Sequence, residues 1–174
     1  MFTAYARIFW NIVLLRSAPQ DVPASPVLCW LLLAGTYTVG FIMGAFIFEP
    51  LKNAAFNAFD LGLLLVFLYV VLQYKKYSNR FLQTTTTVCG VFIIFSLLQL
   101  PIYWLLVTGY LPEQDPLFSI AQLCLLMLLV YFIVVFGHVL RHALSTSMLA
   151  GTMLALGYLV ADFFIIDLIF PRTS

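Results

Sequence analysis

The chain has 174 residues, of which 64% are hydrophobic and only 9% charged, with a formal net charge of +1. Soluble domains carry roughly 25% charged residues, so this composition excludes a surface that meets water on all sides. A net charge so close to zero leaves no electrostatic footprint for nucleic acid. The three cysteines, Cys29, Cys89 and Cys124, stand alone inside apolar runs. They lack the paired spacings of a metal or redox motif and read as small hydrophobes between helices.

Residues 1–24 come first in the chain and differ from the rest. Phe2, Tyr5, Ile8, Phe9, Ile12 and Val13 recur at helical spacing, interrupted by Arg7, Asn11 and Arg16. Two arginines and a short length argue against a membrane span, and no small-residue cleavage site follows as a signal peptide requires. The pattern fits an amphipathic helix lying in the membrane interface with Trp10 at headgroup level. Pro19, Pro23 and Pro26 then turn the chain.

Residues 25–174 form the second unit. A bilayer core is about 30 Å thick, so a spanning helix needs roughly 20 mostly apolar residues. Five segments meet that length: about 26–48, 54–74, 81–108, 117–140 and 149–170. The fold class is therefore an all-α membrane protein, five transmembrane helices preceded by an interfacial one. Ser25-Pro26 and Asp115-Pro116 each read as an N-cap followed by proline at the first helical position. Ser145 or Thr146 is the expected cap of the fifth span, and "GYLPEQDP" is a turn-rich loop between the third and fourth.

Charge bias gives an orientation. With the N-terminus in the cytoplasm, Arg7, Arg16, Lys75, Lys76, Arg80 and Arg141 all lie inside, six of the eight basic residues. There they meet anionic headgroups. Lys52 and Arg172 fall outside, together with Glu49, Glu113 and Asp115. The expected site is a bacterial cytoplasmic membrane, with the C-terminus outside.

Within the apolar runs, polar residues mark where chemistry could sit. In "YLVADFFIIDLIF" Asp162 and Asp167 are five residues apart, about 140° around a helix, and so do not share a face. Asp167 lies near the end of its span and reads as a solvated end residue. Asp162 is deeper, about 12 Å from that end, where a carboxylate costs about 2.5–3.5 kcal/mol unless neutral or partnered. Asp60, Gln99 and Gln122 fall at similar depth, roughly 7–14 Å from the same boundary. Pro101 frees the carbonyl of Leu97 close by, and Asn57 sits just above Asp60. Two readings of this polar layer stay open. The side chains can hydrogen-bond between helices and fix register, at about 0.6–2 kcal/mol each. Alternatively, Asp60 and Asp162 form a proton or cation site in a cavity.

Small residues predict close helix approach. Thr36, Gly40 and Gly44 share one face of the first span, and Gly151 and Ala155 one face of the fifth. Either face serves an internal contact or docks a partner. Thr84 to Thr87 can bond back to helix carbonyls and need no ligand. His138 and His142 have helical metal spacing but no third ligand nearby in sequence, so no metal and no cofactor is expected. No Ser-His-Asp order, phosphate loop, dinucleotide fingerprint or HExxH is present, and no catalytic residues emerge.

With "LLRSAPQDVPASP" before the first span and "NRFLQTTTTVCGVFIIFSLLQLP" through the third, the chain resembles the Ypt/Rab-interacting-protein superfamily and its bacterial relatives. The resemblance lies mainly in the architecture of a surface helix followed by five spans. It implies a non-enzymatic membrane protein that organises partners or bilayer shape, and it supplies no catalytic residues. The sequence thus predicts a scaffold or accessory subunit whose partners are membrane lipids and another membrane protein or a second copy. The alternative is a small proton- or cation-coupled transporter or channel using Asp60 and Asp162.

Overall fold

A computed structural model describes residues 2–110, 112 and 114–170, with side chains from residue 6 onward. The expectations placed on the side chains of Phe2 and Tyr5, and on Glu113 and Arg172, lie outside the described residues. Every regular element among the described residues is helical: α1 (Phe2–Val13), α2 (Pro26–Gly44), α3 (Pro50–Tyr74), α4 (Phe81–Val107), α5 (Pro116–Ala143) and α6 (Met148–Ile169). Helices α2 to α6 are each long and apolar enough to cross a membrane. Their connections alternate between two ends. One carries Arg16, Lys75, Lys76, Arg80 and Arg141, the other Glu49 and Asp115, and we call them the basic and the acidic end.

The helix starts have local causes. Ser25 Oγ accepts the N–H of Leu28 and Asp115 Oδ1 that of Leu117, each ahead of a proline, which has no N–H and so needs no acceptor. Helix α6 is capped by Ser147, which accepts from Ala150, and not by Ser145 or Thr146. Ser145 is instead in the left-handed region (φ 50°) and accepts from Arg80. Helix α3 begins at Pro50, four residues before the expected start, because a proline after extended Glu49 opens a helix more readily than it enters one. Helix α2 correspondingly ends at Gly44.

In space α2 packs on α4, α4 on α5 and α5 on α6, while α3 lies across this row against α2, α4 and α6. Lipid is as apolar as leucine, so helices associate in it through close packing and hydrogen bonds rather than through hydrophobic transfer. The closest approach is α5 against α6. A Cβ on Gly137 would lie 2.6 Å from Thr152 Cα, and one on Gly151 would lie 2.9 Å from the Arg141 nitrogen. Ala155 is fully buried in the same seam. Thr36, Gly40 and Gly44 also make contacts within the chain. Thr36 Oγ1 donates to Leu32 and Cys89 carbonyls, and Gly40 and Gly44 leave room for Asn57 and Asn53 of α3.

The core fills the basic half. Phe132, Phe136, Phe67, Phe92 and Tyr158 pack ring against ring, mostly edge-on, among buried Leu64, Leu68, Val135 and Val139. Thr84 to Thr87 are all buried there, and Thr84, Thr86 and Thr87 donate to carbonyls one turn back. Thr85 is the exception, with a buried hydroxyl that has no partner among the described residues. Cys29 and Cys89 are buried between α2 and α4, but Cys124 faces outward.

Helix α1 packs against the bundle. Phe9, Ile12 and Val13 are buried against α4 and α5, with the Phe9 ring over Gly90. Gly90 is nine residues along α4, about 13 Å from its basic end. The terminal carbonyl of Val13 accepts from Tyr131, and that of Ser17 lies 3.0 Å from His138 Nε2, which must therefore carry the hydrogen. Trp10, Arg7 and Arg16 stay exposed.

Arg80 is not left free for headgroups. Its guanidinium donates to the carbonyls of His142 and Ala143 and to Ser145 Oγ, over the Tyr77 ring. These are end-of-helix carbonyls with no partner inside α5, and a cation suits that end of the helix dipole. Lys75 and Lys76 are exposed, and Arg141 is half-buried.

Candidate functional site

Towards the acidic end the helices part. Pro101, inside α4, removes one rung of that helix's ladder; it is itself exposed, while Tyr103 beside it lines the cavity. A cavity of about 720 Å³ opens between the splayed helices, with wall residues from all five. Its wall is mostly apolar. It runs from Ile47, Phe48 and Phe170 near the acidic end to Phe92 and Ile133 mid-bundle.

The polar part of the wall is concentrated. Asp60 on α3 and Asp162 on α6 neighbour one another across the cavity, with the hydroxyl of Tyr158 beside them. Tyr158 and Asp162 are one helical turn apart on α6, so they share a face. Asp60 is ten residues into α3 and Asp162 seven from the end of α6, about 15 and 10 Å along their axes. The antiparallel course of the two helices brings these depths together. Oδ1 of Asp162 is buried with no hydrogen-bond partner among the described residues. Asn57, Ser96, Tyr37 and Asp167 complete the polar lining. Asp167 is exposed at the end of α6, yet belongs to this wall.

Only part of the expected polar layer converges. Asp60 and Asp162 meet. Gln99 is half-buried but is not part of the cavity wall, and Gln122 is exposed on the outside of α5. Depth was the same for all four, but rotation about each helix axis decides which face is turned inward. Asn53 went unread from the sequence and is fully buried. Its amide donates to the carbonyl of Phe41, and Asn57 donates to Asn53 Oδ1 at 2.7 Å. That asparagine ladder pins α2 to α3 at the rim. The spacing of Asn53, Asn57 and Asp60 at helical intervals opposite Gly40 and Gly44 was the available signal.

Among the described residues, no lysine, arginine or histidine lines this cavity. Lys52 stands outside the lining with its ammonium 5.5 Å from the centre of the Phe48 ring. Two carboxyls side by side in a low-dielectric wall require a proton, a cation or a donor between them. The arrangement can therefore hold and release positive charge. It offers no nucleophile with an adjacent base. The chain matches no protein-family model, no curated protein and no solved structure, so its candidate site rests on this geometry alone.

Proposed function

We propose that the chain is a membrane protein that binds a proton or a cation at Asp60 and Asp162 and moves it between the cavity and the opposite side, as a small transporter or channel. The single observation that carries this reading is the buried, unpartnered Oδ1 of Asp162 in the wall of a half-open cavity. Helix–helix glue would leave such an oxygen bonded, as it does for Asn53 and Asn57. The reading involves no covalent chemistry. It places the chain in a bacterial cytoplasmic membrane with the basic end inside, following the lysine and arginine bias.

The test uses purified protein in sealed vesicles with an imposed pH or cation gradient. Wild type should dissipate the gradient in a pH-dependent manner, and Asp162→Asn should abolish that flux while leaving the protein folded. A variant that carries the same flux as wild type would overturn the proposal.

One observation favours a membrane-organising role of the kind the Ypt/Rab-interacting resemblance implies. The docked α1 presents Arg7, Trp10, Leu14 and Arg16 outward. The glycine faces do not add to it, since their contacts lie inside the chain. Co-purification from native membrane of one defined protein, lost on removing residues 1–16, would support that role. A chain that runs as a clean monomer from the same membrane would count against it.

A further inference from the structure

A second cavity, of about 400 Å³, lies between α3 and α6; it shares Asp162 with the first and has Tyr158 in its own wall. Its remaining walls are Leu63, Val66, Phe67 and Val70 of α3 and chiefly Met153, Gly157 and Ala161 of α6. Val66, Val70 and Met153 are more than half exposed on the outside of the bundle. In a bilayer that outside is acyl chain, so this opening faces lipid rather than water. A Cβ added to Gly157 would meet nothing within 4 Å, which marks open space along the groove floor.

The acid site therefore has two approaches of opposite character. One comes from the acidic end past Asn57 and Asp167, the other sideways from the membrane between α3 and α6. A small hydrophilic ion needs only the first. The second offers a hydrocarbon chain an apolar bed that ends at the Asp162 carboxyl, with Asp60 just beyond it in the first cavity. Among the described residues, no basic side chain lines either cavity.

We propose that the α3–α6 groove seats the hydrocarbon tail of a cationic amphiphile whose amine head lies on Asp60 and Asp162. The inference rests on the cation-site reading above and names the class of cation. Charge complementarity selects the head, because two acids and a phenol hydroxyl meet an ammonium that donates to all three. The groove selects the tail. An acyl lipid with an anionic phosphate near its amine would put like charges together, which disfavours it.

The experiment uses the full chain in nanodiscs of neutral phospholipid, with tetradecylammonium and methylammonium as probes. Asp162 is labelled with an apolar carbodiimide, which attacks carboxyls in membranes, and the modified residue is located by mass spectrometry. Tetradecylammonium should protect Asp162 at concentrations where methylammonium does not. In Gly157→Leu the long amine should need about tenfold more for half-protection, the loss of roughly two buried methylenes. Comparison within one bilayer composition cancels the probe's own partitioning. Gly157→Ala should shift protection in the same direction by less, so that a poorly folded leucine variant leaves the test intact. Equal protection by both amines, unaffected by either glycine variant, would overturn the groove and leave the cation site standing. No protection by either amine, with flux insensitive to Asp162→Asn, would overturn both.

Discussion

The two halves of the bundle differ in how they are held together. In the basic half, nearly every inward side chain is buried. Helices meet backbone to backbone at Gly137 and Gly151, α1 wedges against α4 and α5, and polar pins close the end. In the acidic half the same five helices part around a cavity, and the buried residues on α3 there are two asparagines. The difference teaches where packing is obligatory. Lipid supplies no hydrophobic penalty for splayed apolar helices, so separation costs little wherever side chains can face acyl chains. A rigid half then holds the spacing of a loose half, and the acids sit at the border between them.

Two glycines on neighbouring helices test that contrast most sharply. Gly137→Leu would drive its Cβ into the backbone of α6 at Thr152, where flexible side-chain movement cannot relieve the clash. We expect a loss of about 3 kcal/mol or more, or failure to fold. Gly157→Leu, facing open space on α6, should change stability by less than about 0.5 kcal/mol. Unfolding in mild detergent by increasing denaturant measures both. Equal effects at the two glycines would show that the α5–α6 seam is no more tightly packed than the open groove beside Gly157.

The sequence already carried the five apolar helices, because length and hydropathy alone decide them. The caps at Ser25 and Asp115 were equally legible, since a proline followed each. Pro50 obeyed the same rule, but apolar continuity drew the start of that helix to residue 54. What could not be read was rotation. Asp60, Asp162, Gln99 and Gln122 share a depth, and their order along the chain does not say which way each helix turns. A helix all of whose faces are apolar carries no amphipathic marker of its inner side. Gly90 and Gly137 likewise lie in uniformly apolar surroundings, and the partners that require them, Phe9 and Thr152, are distant in sequence. For α1 the spacing of Phe9, Ile12 and Val13 gave the buried face, yet a lipid surface and a helical bundle are equally apolar hosts for it.

A middle-sized effect should follow from the polar pins of the basic end. Arg80→Ala leaves the carbonyl of Ala143 without its donor, while that of His142 keeps only Gln20 Nε2. A charged hydrogen bond to such groups is worth roughly 1.5–3 kcal/mol, and partial water access at the helix end brings the expected loss to about 1 kcal/mol. Arg80→Lys should recover only part of it, because all three contacts come from Nη1, which the shorter lysine cannot place identically, and the planar guanidinium over Tyr77 is lost. The same denaturant series reads this difference, and complete rescue by lysine would show that charge alone closes that end.

The smallest expected change in stability is at the acid itself. Asp162→Asn removes an oxygen that has no partner and relieves a neighbouring pair of like groups across the cavity. An amide keeps the volume and adds two donors, one of which can reach Asp60 or the Tyr158 oxygen. Stability should therefore stay within about 0.5 kcal/mol of wild type or rise slightly, even as ion flux is lost. Asn53→Ala is the counterpart at the rim: it removes a buried amide that does hold a partner, the Phe41 carbonyl, and should cost about 1 kcal/mol. If Asp162→Asn proved the more damaging of the two, the carboxyl would be part of the structural glue. If it proved the less damaging, the acid would be dispensable for the fold, as the proposed binding role requires.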